Sequence, residues 1–247
     1  AHVRTVAKEF RTTIGQLVPH LLQEMEGIAD GLYAYADEHG RSVDVLDIVA
    51  LNARSEIALG QWDDGCTSLA WRFRNSAGSG FERQLLGQNW DWRVGVGRNL
   101  AMVSIEQDGK PKIWMVTEPG IVGKIGFNSS SVGVLLNAIR ARPISTSLLP
   151  IHCLLRISLE NESVDSAITA IEKLGGAASS QHIYPHCRHS QGMRPRALPA
   201  WRRLPPDGIV MHTNHFLENK LVDEPPWLSG SPVRLERADA SCGELIR

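Results

Sequence analysis

Apolar residues fall at three- and four-residue steps through the first part of the chain: Phe10, Ile14, Leu17, Leu21 and Met25, then Ile28, Leu32 and Tyr35. That spacing keeps them on one face of an α-helix. Pro19 is expected to kink the helix and Gly40 to stop it. A second helix is predicted over residues 43–59, with Ser42 as N-cap, Val45, Ile48, Val49 and Ile57 on its apolar side, and Gly60 at its end. The pattern changes at Gly65. Short runs suited to strands follow at 67–73, 84–92, 100–105, 112–117, 121–127 and 133–139, several separated by turn formers such as Gln107-Asp108-Gly109 and Asn128-Ser129-Ser130. Two more helices are expected at 149–160 and 164–174, closed by Gly175-Gly176. Helices, then strands, then helices predict an α+β class, with helices packed on antiparallel sheet. No internal repeat is visible.

Residues 184–203 break the pattern. They carry Pro185, Pro195, Pro199 and Trp201 with no period of two or 3.6, between flanks at 177–183 and 208–216 that read as strand-forming. An irregular loop of that length is uncommon inside a compact domain.

Composition narrows the function classes. With 247 residues, 43% of them hydrophobic, the chain can bury a real core. A formal net charge of -1 and no basic stripe argue against a nucleic-acid partner. No run of about 18 apolar residues is present to span a membrane. Ala1-His2-Val3-Arg4 lacks the apolar core of a secretory signal and an initiator Met, so it reads as a fragment's edge. Cys66, Cys153, Cys187 and Cys242 are far apart and form no CxxC pair, against a structural zinc site and in favour of a reducing, intracellular setting. His182, His186, Cys187 and His189 lack the ligand spacing of a metal site. Gly95-Val96-Gly97 lacks the third glycine of a dinucleotide fingerprint. No metal or cofactor site is expected.

Three stretches could carry chemistry. In Asp64-Gly65-Cys66-Thr67-Ser68 a cysteine follows a glycine where helix gives way to strand. Cys66 is either a small core residue or a nucleophile. For the second reading, Gly65 leaves its own carbonyl open to attack by the Cys66 thiol. Cutting the Gly65–Cys66 bond would free an α-amine with an ordinary pKa of roughly 7.7–8.0, able to act as base for its own thiol. In Gly87-Gln88-Asn89-Trp90-Asp91-Trp92, strand alternation places Asn89 and Asp91 on one face and the tryptophans on the other. The two polar residues are either solvent-facing or part of a site. In His212-Thr213-Asn214-His215, three-residue spacing along a strand sends the histidines to opposite faces. Asn214 is either a turn residue or an oxyanion donor.

Taken in order, five stretches resemble the acyl-coenzyme A:6-aminopenicillanic acid acyltransferase (isopenicillin N acyltransferase) family of cysteine N-terminal-nucleophile hydrolases. They are Asn52-Ala53-Arg54-Ser55-Glu56, Asp64-Gly65-Cys66-Thr67-Ser68, Gly87-Gln88-Asn89-Trp90-Asp91, Thr117-Glu118-Pro119-Gly120 with Gly123-Lys124-Ile125-Gly126-Phe127-Asn128-Ser129, and His212-Thr213-Asn214-His215. The resemblance implies a four-layer αββα sandwich. It implies processing at Gly65–Cys66, which would release residues 1–65 as a small helical chain beside a catalytic chain, 66–247. It makes Cys66 the nucleophile, Asp91 the group holding its amine and Asn214 the oxyanion donor, with Asn89 and Asn137 as further site polar groups. The implied partners are a small-molecule acyl donor, such as an acyl-coenzyme A taken as substrate, and an amine acceptor, in a cytoplasmic or peroxisomal setting. Plain amide hydrolysis is the alternative within the family.

Two departures from the family shape further expectations. The chain ends before the region that supplies the family's late arginine, so that arginine is expected to have no counterpart, the sandwich to be C-terminally incomplete, and the chain to be a weak enzyme or a binding remnant. Residues 184–203 replace an ordinary strand pair and read as a frameshift. The run Cys187-Arg188-His189-Ser190-Gln191 can be encoded so that a one-base shift gives Ala-Asp-Thr-His.

Overall fold

In a computed structural model of the chain, residues 2–36, 43–58, 65–74, 81–139, 143–179, 182–186, 208–217 and 230–245 are described. The helices and strands run α1 (His2–Leu17), α2 (Pro19–Ala36), α3 (Val45–Asn52), α4 (Arg54–Ile57), β1 (Gly65–Arg74), β2 (Phe81–Asp91), α5 (Val94–Gly97), β3 (Ala101–Ile105), β4 (Ile113–Thr117), β5 (Ile125–Asn128), β6 (Gly133–Asn137), α6 (Ile151–Leu159), α7 (Val164–Lys173), β7 (His182–His186), β8 (Ile209–His212) and α8 (Ser231–Leu245).

The predicted first helix is two. The first ends at Leu17, and Pro19 opens the second, at a helix start where its missing N–H costs nothing. Val6, Phe10, Ile14, Val18, Leu21 and Met25 are buried in one stripe, but Leu17, Leu32 and Tyr35 are exposed. The second predicted helix is also shorter. Its N-cap is Asp44, whose carboxylate accepts from the Leu46 and Asp47 amides in a capping box with Asp47. Ser42 and Gly60 lie outside the described residues.

Two antiparallel sheets confirm the α+β class. One has the order β2-β1-β8 and the other β3-β4-β5-β6-β7. The sheets meet where Ser68 on β1 donates to Asn137 on β6 and where Gln88 Nε2 donates to the Leu136 carbonyl at 2.6 Å. α6 lies against β5 and β6, α7 against β7, and α8 against β1 and β8. The main core is shared: Phe10, Ile14, Leu21 and Met25 pack in one cluster with Ile48, Val134, Leu149, Leu154 and Leu155. The N-terminal helices therefore pack into the same core as the sheet.

Two strand expectations shift, and one helix was not foreseen. The run at 121–127 begins pairing only at Ile125, because the preceding residues turn, with the Ile121 amide bonded to the Glu118 carbonyl. The strand before the irregular stretch is β7, which continues to His186. It carries Pro185 as the outermost described strand, where a missing N–H is best tolerated. The rest of 184–203, with Cys187 and His189, lies outside the described residues. α8 has no counterpart in the sequence reading, although Ser231-Pro232 is a helix-start signal.

One buried cation fastens the helices together. The fully buried Arg156 on α6 donates to Glu24 on α2, Glu160, Gln107 and the Val122 carbonyl. Truncating it would leave the Val122 carbonyl and Glu160 Oε1 without that donor, with Lys110 still on Glu160 Oε2, and would empty a fully buried site. Arg156→Ala should lose about 3–5 kcal/mol in denaturant unfolding. A change below about 1 kcal/mol, the worth of a surface pair, would contradict this.

A candidate active site at the Gly65–Cys66 junction

Gly65 and Cys66 are the first two residues of β1. Antiparallel pairing puts Cys66 opposite Trp90, Ser68 opposite Gln88, Thr67 opposite Asn89 and Gly65 opposite Asp91. Directly opposed residues share a face. Cys66, Ser68, Gln88 and Trp90 therefore look toward the second sheet. Gly65, Thr67, Asn89 and Asp91 look toward α8.

The backbone of Cys66 is gripped at both ends. Its N–H donates to Asn214 Oδ1 at 2.6 Å. Its carbonyl accepts from Arg234 Nη1 at 2.6 Å, and the same guanidinium reaches Thr67 Oγ1 at 3.0 Å and Asn214 Oδ1 at 2.7 Å. With two donors on Oδ1, the Asn214 amide is oriented, and its Nδ2 donates to the Ala138 carbonyl at 2.9 Å. The Cys66 side chain is buried, with 3% of its surface exposed. Gly65 is hemmed in as well: a Cβ there would lie 3.0 Å from Asp91 Oδ2 and 3.6 Å from the Arg234 guanidinium.

Arg234 overturns the expectation that the chain lacks an arginine at the nucleophile. It lies one turn into α8, and the start of that helix is tied to the turn after β8. The Ser231 hydroxyl accepts from the Asn214 amide at 2.7 Å and pairs with His215 Nδ1 at 2.8 Å, while Thr213 Oγ1 donates to the Ser231 carbonyl at 2.9 Å. This clasp turns Arg234 back onto a cysteine 168 residues away.

The remaining predicted residues separate into two groups. Asp91 sits beside Gly65, Asn214 holds the Cys66 N–H and Asn137 bonds Ser68 two residues on. Asn137 is fully buried; its Oδ1 accepts from Ser68, and its Nδ2 donates to the His212 carbonyl at 3.3 Å. Asn89 lies on the α8-side face, away from the Cys66 thiol. In this uncut chain the group that receives the Cys66 N–H is Asn214, the residue expected to serve the oxyanion, whereas Asp91 flanks the residue before it. The two histidines do not diverge. β8 ends at His212 and the chain turns, so His212 and His215 are both buried with rings stacked at 6.2 Å. Burial lowers the His212 pKa to about 4, so the ring is neutral at pH 7. Among the described residues no three His, Cys, Asp or Glu side chains are grouped as metal ligands, and no helix is long and apolar enough to cross a membrane.

The stretch 52–56 docks against the loop between β4 and β5 and the start of α6. The fully buried Asn52 donates to the Gly120 carbonyl at 2.7 Å and accepts from the Val122 amide at 2.9 Å. Gly120 turns with φ +84, which favours glycine. At Gly123 a Cβ would lie 2.2 Å from the His152 carbonyl, so only glycine lets this loop touch α6. Arg54 bonds Glu118, whose second oxygen lies 3.3 Å from Lys124 Nζ. Burial pushes the Glu118 carboxyl up, but the Lys124 and Arg54 charges outweigh it and hold it below its usual range. Glu56 caps the start of α6, accepting from the Ile151 amide and the Ser179 hydroxyl, both at 2.9 Å.

Burial raises the Glu56 carboxyl above its ordinary value, against the pull of those two bonds. The folded chain therefore holds that proton more tightly than the unfolded chain. This contribution to stability is fully present below the unfolded pKa and is lost as pH rises through the folded one. Glu56→Gln can keep both bonds through Oε1 without the charge. Melting temperatures of the two proteins should diverge in favour of the variant as pH rises above the ordinary carboxylate range. Parallel curves would show that Glu56 titrates alike in both states.

Residues 79–242 match the model of a family described as acyl-coenzyme A:6-aminopenicillanic acid acyl-transferase. The chain belongs to this family. It is also 34% identical over 223 residues to the "Acyl-coenzyme A:6-aminopenicillanic-acid-acyltransferase 40 kDa form" of Emericella nidulans (strain FGSC A4). That similarity covers 89% of this chain and 58% of the relative, so the chain spans rather more than half of that protein's length. Membership in the acyl-transferase family accords with the ordered set of stretches read from the sequence, of which those at 87–91, 117–129 and 212–215 lie within the matched region.

Proposed function

We propose that the chain is a self-processing cysteine enzyme of the N-terminal-nucleophile type that moves acyl groups from a thioester or amide donor to an amine or to water. The observation that carries this is the grip on Cys66: Asn214 on its N–H, Arg234 on its carbonyl, and Asp91 with Arg234 against Gly65. A buried core cysteine needs no such convergence of polar groups on its backbone.

In the proposed reaction the Cys66 thiol attacks the Gly65 carbonyl. A sulfur–carbon bond forms, the Gly65–Cys66 amide breaks, and the amide nitrogen leaves as the Cys66 amine after taking up a proton. Water then cleaves the thioester, giving a Gly65 carboxylate and restoring the thiol. The new carboxylate is repelled by the adjacent Asp91, which favours departure of the tail. The vacated space leaves the Cys66 amine within reach of both Asn214 and Asp91. That amine then receives the thiol proton when Cys66 attacks an acyl donor. Arg234 and Asn214 hold the nucleophile's backbone still in both steps.

After cleavage, residues 1–65 stay with 66–247, because Asn52, Arg54 and Glu56 and the shared apolar core fasten them. The αββα sandwich is supported by the contact order of α8, the β2-β1-β8 sheet, the larger sheet, then α6 and α7. An acyl-coenzyme A donor is suggested by the relative's name alone.

The test is acylation. Protein mixed with an acyl-coenzyme A thioester and quenched in acid should carry the acyl group on the peptide beginning at Cys66. Adding an amine acceptor should divert product from free acid to amide in a transferase, and leave it as acid in a hydrolase. No acylation, or acylation at another cysteine, would sink the reading and favour a binding role.

A further inference from the structure

Behind Trp90, the residue paired with Cys66 across β1 and β2, lies a charge arrangement that the proposed reaction does not use. Lys124 is buried, with a side chain only 4% exposed. Its Nζ lies 3.3 Å from Glu118 Oε2 and 4.6 Å from the centroid of Trp90, the residue directly opposite Cys66 on the face that carries the thiol. Arg54 shares Glu118 and lies 5.4 Å over Trp92, which stacks with Trp90 at 6.4 Å. Two cations thus share one carboxylate behind a pair of indole rings. A buried surplus charge is costly unless something answers it.

The groups acting on Lys124 from the elements packed around it are Glu118, Arg54, His152 and Cys66. Glu118 is already divided between two cations. His152 is held neutral by burial, and the Lys124 and Arg54 charges press it further that way. Burial lowers Lys124 to about 8, with Glu118 drawing it back up and Arg54 opposing. Among the described residues the acidic group left is Cys66, whose ionised form favours the charged lysine. On the other face of β1, Arg234 is committed to the Cys66 carbonyl and Asn214, and Asp91 flanks Gly65.

We propose that Lys124 is a positioning residue for the nucleophile: its ammonium, held between Glu118 and the face of Trp90, is the counter-charge of the Cys66 thiolate. The idea rests on the reading of Cys66 as nucleophile and adds what ionises it. The thiol proton passes to the Cys66 amine or to water; Lys124 takes no proton and stabilises the anion left behind, as cations near reactive cysteines do. Indole faces attract a cation, which helps hold the ammonium over Trp90 while it also pairs with Glu118.

The experiment reads ionisation without turnover, so it stands apart from failure of acyl transfer. Thiolate absorbance near 240 nm is titrated in the full chain as a difference from its Cys66→Ser counterpart. Lys124→Met should move the midpoint up by about one pH unit or more, and Lys124→Arg, which keeps the charge, should leave it near wild type. An unchanged midpoint in folded Lys124→Met overturns the proposal, as does failure of Lys124→Arg to rescue. If Lys124→Met does not fold, reciprocity supplies the second measurement. Cys66→Ser should lower the pH at which the Lys124 side chain loses its charge, followed by NMR of isotope-labelled lysine. An unmoved Lys124 titration would overturn the proposal equally.

Discussion

Replacing Cys66 with alanine should abolish both self-cleavage and acyl turnover, with kcat falling by a factor on the order of 10⁴ to 10⁶, the usual cost of deleting a nucleophile. The fold should survive. Cys66 is nearly fully buried but contributes only a small side chain, and its backbone bonds to Asn214 and Arg234 do not involve the thiol. A lost thiol leaves a small cavity, worth about 1 kcal/mol. The other described cysteines cannot stand in for it. Cys153 is fully buried on α6, and burial raises its thiol far from reactivity. Cys242 lies on α8, well along the helix from Arg234. Retained activity in Cys66→Ala would remove Cys66 from the chemistry.

The second large effect belongs to Asn214 and Arg234, which act as a unit. Asn214→Ala removes the acceptor for the Cys66 N–H and for Arg234 at once. Each single change should lower kcat by about 10² to 10³, the range seen when one preorganised polar contact at a reacting centre is lost. Because the two share a hydrogen bond, the double variant should lose far less than the product of the singles. Arg234→Lys should not rescue, since one ammonium cannot reach the Cys66 carbonyl, Thr67 and Asn214 together as a planar guanidinium does. Steady-state kinetics on the four proteins checks this. Fully multiplicative losses would mean that the two residues serve separate steps.

Where the sequence spoke clearly, it did so through periods and punctuation. The 3.6-residue stripe from Phe10 to Met25 and the alternation in 84–92 are local properties, and the structure keeps both, with Val18 in place of Leu17 in the stripe. The α+β class and the Gly65–Cys66 junction at a helix-to-strand change were legible for the same reason. What was not legible depends on distance. Nothing in Ser231-Pro232-Val233-Arg234 says that its arginine will meet Cys66; that follows from a clasp between α8 and the turn at 213–215. His212 and His215 were expected to part because a strand was extended through both, and β8 stops at the first. Pro19 was read as a kink inside one helix, yet a proline is easier to place at the start of a second. Lys124 looked like one more residue of a shared stretch, until Trp90, Glu118 and Arg54 closed around it.

The central claim is that the Gly65–Cys66 bond is cut by the residue on its own C-terminal side. Intact-mass measurement of purified wild-type and Cys66→Ala protein tests it most directly, with N-terminal sequencing of any fragment. The account predicts two wild-type chains, one ending at Gly65 and one beginning Cys66-Thr67-Ser68, and a single uncut chain for the variant. A wild-type protein that stays whole, or a variant cut at the same bond, would contradict it.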